Sequence, residues 1–153
     1  MRLKHLIFLI SLLVLGGIAY CSFVLLKHGF SARAKPLWIE AVVAKNVRRL
    51  AIPSAAKELK NPIKLDALSF AQTRDHFADH CATCHGNTGS GKTLINEGLY
   101  PPAPDMRSET QSLSDGEIFY IIKNGIRFTG MPGWGGSDTE NWKLVSFIRA
   151  LPT

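Results

Sequence analysis

This chain of 153 residues has almost nothing that alternates. No stretch sets apolar and polar side chains in the period-two pattern of a half-buried strand, and no β-branched run suits a fully buried one. That absence excludes two kinds of chemistry. A C-x-x-C dithiol redox pair expects a βαβ setting, and a phosphate-cradling P-loop expects an apolar strand leading into its glycines. Cysteine is scarce, limited to Cys21, Cys81 and Cys84. A structural zinc site needs a second pair of ligands, and Cys21 lies inside an apolar run and cannot supply one. Acidic residues are nearly missing from residues 1–64, where Glu40 and Glu58 stand against eleven Lys and Arg. Residues 65–153 reverse the balance, with seven basic and ten acidic residues. The positive charge therefore belongs to the first part, where it can meet lipid phosphates or acidic partner surfaces. The second part has neither a basic recognition helix nor an aromatic-studded sheet pattern, which excludes nucleic acid as a partner. Internal repeats and low-complexity tracts are also missing.

What is present begins with a long apolar run. Leu6 to Leu26 carries no charge over 21 residues, and a helix of that length spans about 30 Å, the hydrocarbon thickness of a bilayer. The run ends in Phe23-Val24-Leu25-Leu26-Lys27 rather than in the small residues of a signal-peptide cleavage site. Tyr20 before Cys21 likewise argues against a lipoprotein signal. Residues 1–27 are therefore expected to form an uncleaved transmembrane anchor, contacting lipid through residues 6–26. Arg2 and Lys4 precede the span and Lys27, Arg33 and Lys35 follow it, so charge bias does not orient it.

Residues 28–65 are expected to form a connector, a basic amphipathic helix and a linker. From Leu37 to Ile52, apolar residues Ile39, Val43, Val47 and Leu50 fall on one helical stripe, with Lys45, Arg48 and Arg49 elsewhere. Such a helix suits the lipid interface, with Trp38 near the headgroups. It suits equally a surface on its own domain or on a partner. Pro53 and Asn61-Pro62 bracket a short helical piece, and Asn61 to Leu65 reads as the linker into the next domain. Residues 66–153 read as an all-α unit. Capping boxes are expected at Ser69-Phe-Ala-Gln72, Ser114-Asp-Gly-Glu117 and Ser137-Asp-Thr-Glu140. Gly125 is expected to stop the middle helix and Pro152 the last one.

Two motifs overlap on Gly86. Gly86-Asn-Thr-Gly-Ser-Gly91-Lys92-Thr93 fits G-x-x-x-x-G-K-[ST], but no strand precedes it, and Gly98, Pro101, Pro102 and Pro104 forbid a sustained helix after it. No apolar run ending in Asp follows to hold Mg²⁺. Gly89, Gly91 and Lys92 are expected instead in a flexible, solvated surface loop, and no nucleotide is expected. Cys81-Ala-Thr-Cys84-His85 fits C-x-x-C-H, the attachment site of a c-type haem. Two thiols at this spacing can add across the two vinyl groups of one porphyrin, and His85 is close enough to bring an imidazole to the iron. A sixth ligand is then expected. Met131 lies in "NGIRFTGMPGWG", between Gly130 and Pro132, in a loop rather than a core stripe. Met106 follows a proline-rich turn and is expected to pack on the ring. His76 and His80 are expected at the surface.

Residues 66–153 resemble the class I c-type cytochromes. Phe77, four before Cys81, matches the aromatic of that family's first helix, and Leu144 and Phe147 match the Leu and aromatic of the terminal helix crossing it. The resemblance implies the class I cytochrome c fold, behind an N-terminal transmembrane helix, with one covalently bound haem c. It implies thioethers at Cys81 and Cys84, iron ligation by His85 and Met131, and a Pro104 carbonyl that accepts the His85 Nδ1–H. Met106 stands where the family usually has a Leu against the haem. Thr73, eight before Cys81, stands where the family favours glycine, so a wider or displaced helix crossing is expected. Trp134 and Arg127 are expected near the propionates, Arg127 as a charge partner.

With both axial positions filled, the implied activity is one-electron transfer and not enzyme catalysis, as a shuttle or as a fixed subunit of a redox complex. The implied partners are a membrane redox complex or another cytochrome. Haem attachment outside the bacterial cytoplasmic membrane implies a single-pass protein with its haem domain in the periplasm. A haem-based ligand sensor and an assembly subunit are the alternatives.

Overall fold

The computed structural model describes residues 3–28 and 31–151. Among these residues the protein is all helix and loop, with no strand. Its contacts divide into two compact units, Met1–Ala34 and Lys35–Thr153. The first unit is essentially one helix, α1 (Leu3–His28). Its 26 residues extend about 39 Å at 1.5 Å per residue. They are long and apolar enough to cross a membrane, and none of the apolar stretch is buried against protein.

The second unit holds six helices: α2 (Trp38–Ala51), α3 (Ser54–Lys57), α4 (Ala67–His80), α5 (Ala82–His85), α6 (Asp115–Asn124) and α7 (Asp138–Arg149). The core forms where α7 packs on α4 and α6. Phe77 of α4 and Val145 of α7 are the most completely enclosed large side chains. The Phe147 ring lies 5.0 Å from Phe77 and 5.3 Å from Phe70, both tilted. Phe119 of α6 stacks on Trp142 of α7 at 4.1 Å. Leu144 and Phe147 are thus core residues of the terminal helix, as the resemblance implies. Thr73 is buried at the same packing, and its hydroxyl donates to the Ser69 carbonyl at 2.7 Å. The hydroxyl is satisfied within its own helix, so a residue larger than glycine sits there without an unpaired polar group.

Helix ends follow the expected caps in two of three cases. Ser114 and Glu117 form a reciprocal capping box at α6, and Ser137 accepts the Glu140 N–H at α7. The third expectation is corrected. Helix α4 starts at Ala67, and its cap is Asp66, which accepts the Ser69 N–H at 2.7 Å. A carboxylate one turn earlier takes the Ser69 N–H itself, so Ser69 lies inside the helix instead of capping it, and that bond holds the Asp66 carboxyl below the usual carboxylate range. Gly125 caps α6 at φ +69°, as expected. The stop assigned to Pro152 lies outside the described residues.

The segment read as a linker is not free. Asn61 Nδ2 donates to the Trp142 carbonyl at 3.1 Å and to Ser146 Oγ at 2.8 Å, and Ser146 Oγ donates to the Ile63 carbonyl at 2.8 Å. Ile63 and Leu65 pack against the core. Helix α3 lies on α6, where Ser114 Oγ donates to the Lys57 carbonyl at 2.9 Å. Packing therefore crosses the expected boundary at 65/66. The polar groups of Asn61 and Ser146, which suit an exposed linker in sequence, satisfy each other across it.

Gly116 makes that strap possible, because a Cβ there would collide with the Ala56 carbonyl oxygen. Gly116→Ala is expected to destabilise the haem-loaded chain by about 1–3 kcal/mol in denaturant unfolding, although alanine is intrinsically the better helix former. Gly98→Ala, whose added methyl meets nothing within 4 Å, is expected to stay within about 0.5 kcal/mol. Equal effects at the two sites would remove the strap.

Candidate haem-attachment site

The site begins where α4 ends. Cys81 N–H still donates to the Phe77 carbonyl at 2.8 Å, so the buried Phe77 fixes where the first cysteine stands. The next turn, α5, is closed by His85 N–H to the Cys81 carbonyl at 2.9 Å and Gly86 N–H to the Ala82 carbonyl at 2.8 Å. Gly86, at φ +73°, then turns the chain away. Positions three and four apart on a helical turn share a face, so Cys81, Cys84 and His85 project together. Both thiols are free and half-buried, and His85 is buried.

The electrostatics favour neutral groups. Burial, aided by neighbouring Cys84, pushes the Cys81 thiol up to about 11. A reactive dithiol pair requires a stabilised thiolate, and burial of Cys81 does the opposite. Burial also lowers the pKa of His85, while the Pro104 backbone acts to raise it. His85 Nδ1 is buried without a partner in full hydrogen-bond geometry, so the Pro104 contact is a weak one. Pro104 still favours the tautomer with the proton on Nδ1, leaving Nε2 as the basic nitrogen. A buried imidazole beside two free thiols on one face fits a covalently held porphyrin and its histidine ligand.

Pro104 is positioned by a residue that composition and motif did not single out. Asn96 is buried, and its amide donates to the Gly91 and Ala103 carbonyls while its own oxygen accepts the Ala103 N–H. One side chain thus satisfies three backbone groups in a loop without regular structure. The signal for it was available in principle, since a Gly- and Pro-rich loop beside a core must find partners for its backbone somewhere. Next to Pro104, Asp105 accepts from Arg107 at 2.6 and 2.9 Å. These bonds hold the Asp105 carboxyl down at about 2. Met106 is buried in the core cluster, and its N–H donates to the Gly89 carbonyl at 2.8 Å.

That last bond corrects the expectation of a flexible, solvated loop at Gly89 and Gly91. Both glycines are buried, at φ +73° and +70°. A Cβ on Gly89 would stand 2.6 Å from a Leu151 methyl, and one on Gly91 would stand 2.9 Å from the Ala103 carbonyl oxygen. The glycines are packing elements of the turn after His85, and Lys92 alone is exposed as expected.

Met131 stands on a second loop, folded onto the end of α6. Its carbonyl accepts from Ile126 N–H and its N–H donates to Thr129 Oγ1, each at 3.1 Å. Trp134 and Gly135 N–H groups cap the Ile122 and Lys123 carbonyls at 3.1 Å. A Cβ on Gly125 would stand within 2.7 Å of the Met131 to Gly133 backbone. Met131 itself is half-buried. The Trp134 ring meets His80 edge-on at 5.3 Å, which brings the Met131 loop against the end of α4 just before the cysteines. His80 is exposed, and its Nδ1 lies 3.0 Å from the His76 carbonyl. Arg127 is exposed, with no acidic partner among the described residues.

A family model described as "Cytochrome C oxidase, cbb3-type, subunit III" matches residues 69–148. The matched span runs from the first turn of α4 to nearly the end of α7, and it contains every residue of the site just described. No curated protein matches the chain.

Two outcomes test the loop that carries Pro104. Asn96→Ala is expected to cost about 2–3 kcal/mol in denaturant unfolding, because it leaves three backbone groups without partners; a cost under about 0.5 kcal/mol would contradict this. Asp105 titrates at about 2 when folded, well below the usual carboxylate range. Its contribution is therefore fully present above about pH 4 and is lost as pH falls toward 2. Stability of the native chain should fall more steeply over that interval than stability of Asp105→Asn, read from acid unfolding of both.

Proposed function

Because the chain belongs to the cytochrome c oxidase, cbb3-type, subunit III family, we propose that it is a membrane-tethered electron carrier of the bacterial periplasm, passing single electrons between redox partners at the membrane. The chain is an electron-transfer haem protein with covalently bound haem c. When bound, that group supplies a one-electron couple at its iron.

The chain's own residues divide the work. Cys81 and Cys84 hold the porphyrin by thioethers, so it stays with the protein in an oxidising compartment. His85 would offer Nε2 to the iron, with the Pro104 carbonyl orienting the ring through Nδ1. Met131 would be the second ligand, Met106 would pack on the porphyrin from the core, and Trp134 and Arg127 would lie toward the propionates. With His85 and Met131 both ligating, no place would remain for a substrate, which argues for a carrier over an enzyme. Helix α1 serves as the single-pass anchor. Tethering confines diffusion to two dimensions and raises the effective concentration of membrane partners. Those partners are a membrane redox complex or a second cytochrome.

The observation that carries this reading is the buried His85 at the end of a turn that sets the free thiols of Cys81 and Cys84 on the same face. Met131→Ala tests it in the haem-loaded chain. The variant is expected to bind carbon monoxide in the ferrous form, to lose the ferric methionine–iron charge-transfer band, and to fall in reduction potential. Rapid carbon monoxide binding by the native chain, at the rate of the variant, would favour a ligand sensor instead.

A further inference from the structure

Helix α2 is an exception within the second unit. Helices α6 and α7 each bury one apolar face, whereas α2 buries no residue. Its stripe of Ile39, Val43, Val47 and Leu50 is between 53% and 82% exposed, and Trp38, in the first turn on the Lys45 side, is 77% exposed. The helix touches its own domain through polar side chains. Arg49 donates to Ser112 Oγ at 3.3 Å, and Glu40 lies against Tyr100, whose phenol it holds up to about 12. At 100° per residue, the apolar stripe falls on a different side of the helix from Lys45 and Arg48.

Something of suitable chemistry should cover this face, because an apolar stripe left exposed along a helix marks an interaction site. Charge points to the occupant. Arg33, Lys35 and Lys45 are exposed around the helix, and its single acidic residue, Glu40, is engaged with Tyr100. A positively charged lead-in and a basic polar face opposite an exposed apolar stripe are complementary to anionic headgroups over hydrocarbon. Connectivity points the same way. Helix α1 ends at His28 and α2 begins at Trp38, so even a fully extended connector is no longer than about 35 Å. We propose that α2 lies in the surface of an anionic bilayer, with Ile39, Val43, Val47 and Leu50 in the acyl boundary and Lys45 facing water. The haem domain then has a fixed distance and orientation above the membrane, because α3 and residues 61–65 strap that part of the chain to α6 and α7.

This inference rests on α1 spanning the membrane, and the test separates the two. In the haem-loaded full chain, Cys81 and Cys84 carry the porphyrin, so Cys21→Ser leaves no other thiol. Spin labels are then placed singly through Leu13→Cys, Val43→Cys, Lys45→Cys and Leu50→Cys. The protein is reconstituted into phosphatidylcholine vesicles with and without phosphatidylglycerol. Relaxation by oxygen, which partitions into lipid, is compared with relaxation by a water-soluble nickel chelate. With phosphatidylglycerol, oxygen should exceed nickel severalfold at positions 43 and 50 and the reverse should hold at 45, with weaker immersion in phosphatidylcholine alone. A lipid-immersed label at 13 with water-exposed labels at 43 and 50 overturns the proposal and leaves the anchor standing. Labels at 43 and 50 shielded from both reagents and broadened by mutual contact overturn it in favour of a second copy. Immersion indifferent to phosphatidylglycerol overturns the anionic-surface assignment, and a water-exposed label at 13 overturns the anchor and the proposal together.

Discussion

The contact between α4 and α7 is the constraint on which the site depends. Phe77 is enclosed by Phe147 and its neighbours, and it lies four residues before Cys81, at the last full turn of α4. Fixing Phe77 fixes the direction in which the helix delivers Cys81, and α5 then carries Cys84 and His85 onto the same face by hydrogen bonding alone. Burial of one aromatic pair, worth several kcal/mol if either ring were truncated, is in this way converted into placement of three chemically active side chains. The core is small for a chain of this size because residues 3–28 contribute nothing to it.

The two loops that complete the site are held by different means. The loop from Gly86 to Met106 has no regular structure beyond a 3-10 turn at Asn96–Gly98, and it relies on one buried amide, the backbone bond from Met106 to Gly89, and two glycines pressed against Leu151 and the Ala103 carbonyl. The Met131 loop instead caps the end of α6 with its own backbone and leans on His80 through Trp134. One loop carries Pro104 to His85, and the other carries Met131, the proposed second ligand. Two loops held by separate means suit the proposed electron transfer, in which little reorganisation should accompany the change of charge.

The fold class was legible in the sequence because its signals are local. Helical periodicity, capping residues at Ser114 and Ser137 and the stop at Gly125 are set within a few residues, and no strand pattern competed with them. The C-x-x-C-H turn was legible for the same reason. The features that escaped are all long-range. Asn61 and Ser146 satisfy each other across 85 positions, so residues 61–65 looked like a free linker. Gly89 and Gly91 looked solvated because the Leu151 and Ala103 atoms that press on them come from elsewhere in the chain. Asp66 displaced the cap expected at Ser69 by three residues, because the sequence offers two capping residue types within one turn. Asn96 gave no periodic signal at all, since its role is to satisfy backbone groups that only the folded loop brings together.

The central claim is that His85 and Met131 hold the iron from opposite sides. Proton–carbon NMR of the reduced, haem-loaded chain, with its methionine methyl groups enriched in carbon-13, tests that claim most directly. A methyl bonded through sulfur above the centre of the ring is driven far upfield by the ring current. The account predicts one such methyl, unaffected by Met106→Leu and therefore belonging to Met131. An upfield methyl that disappears with Met106→Leu, or none at all, would contradict it.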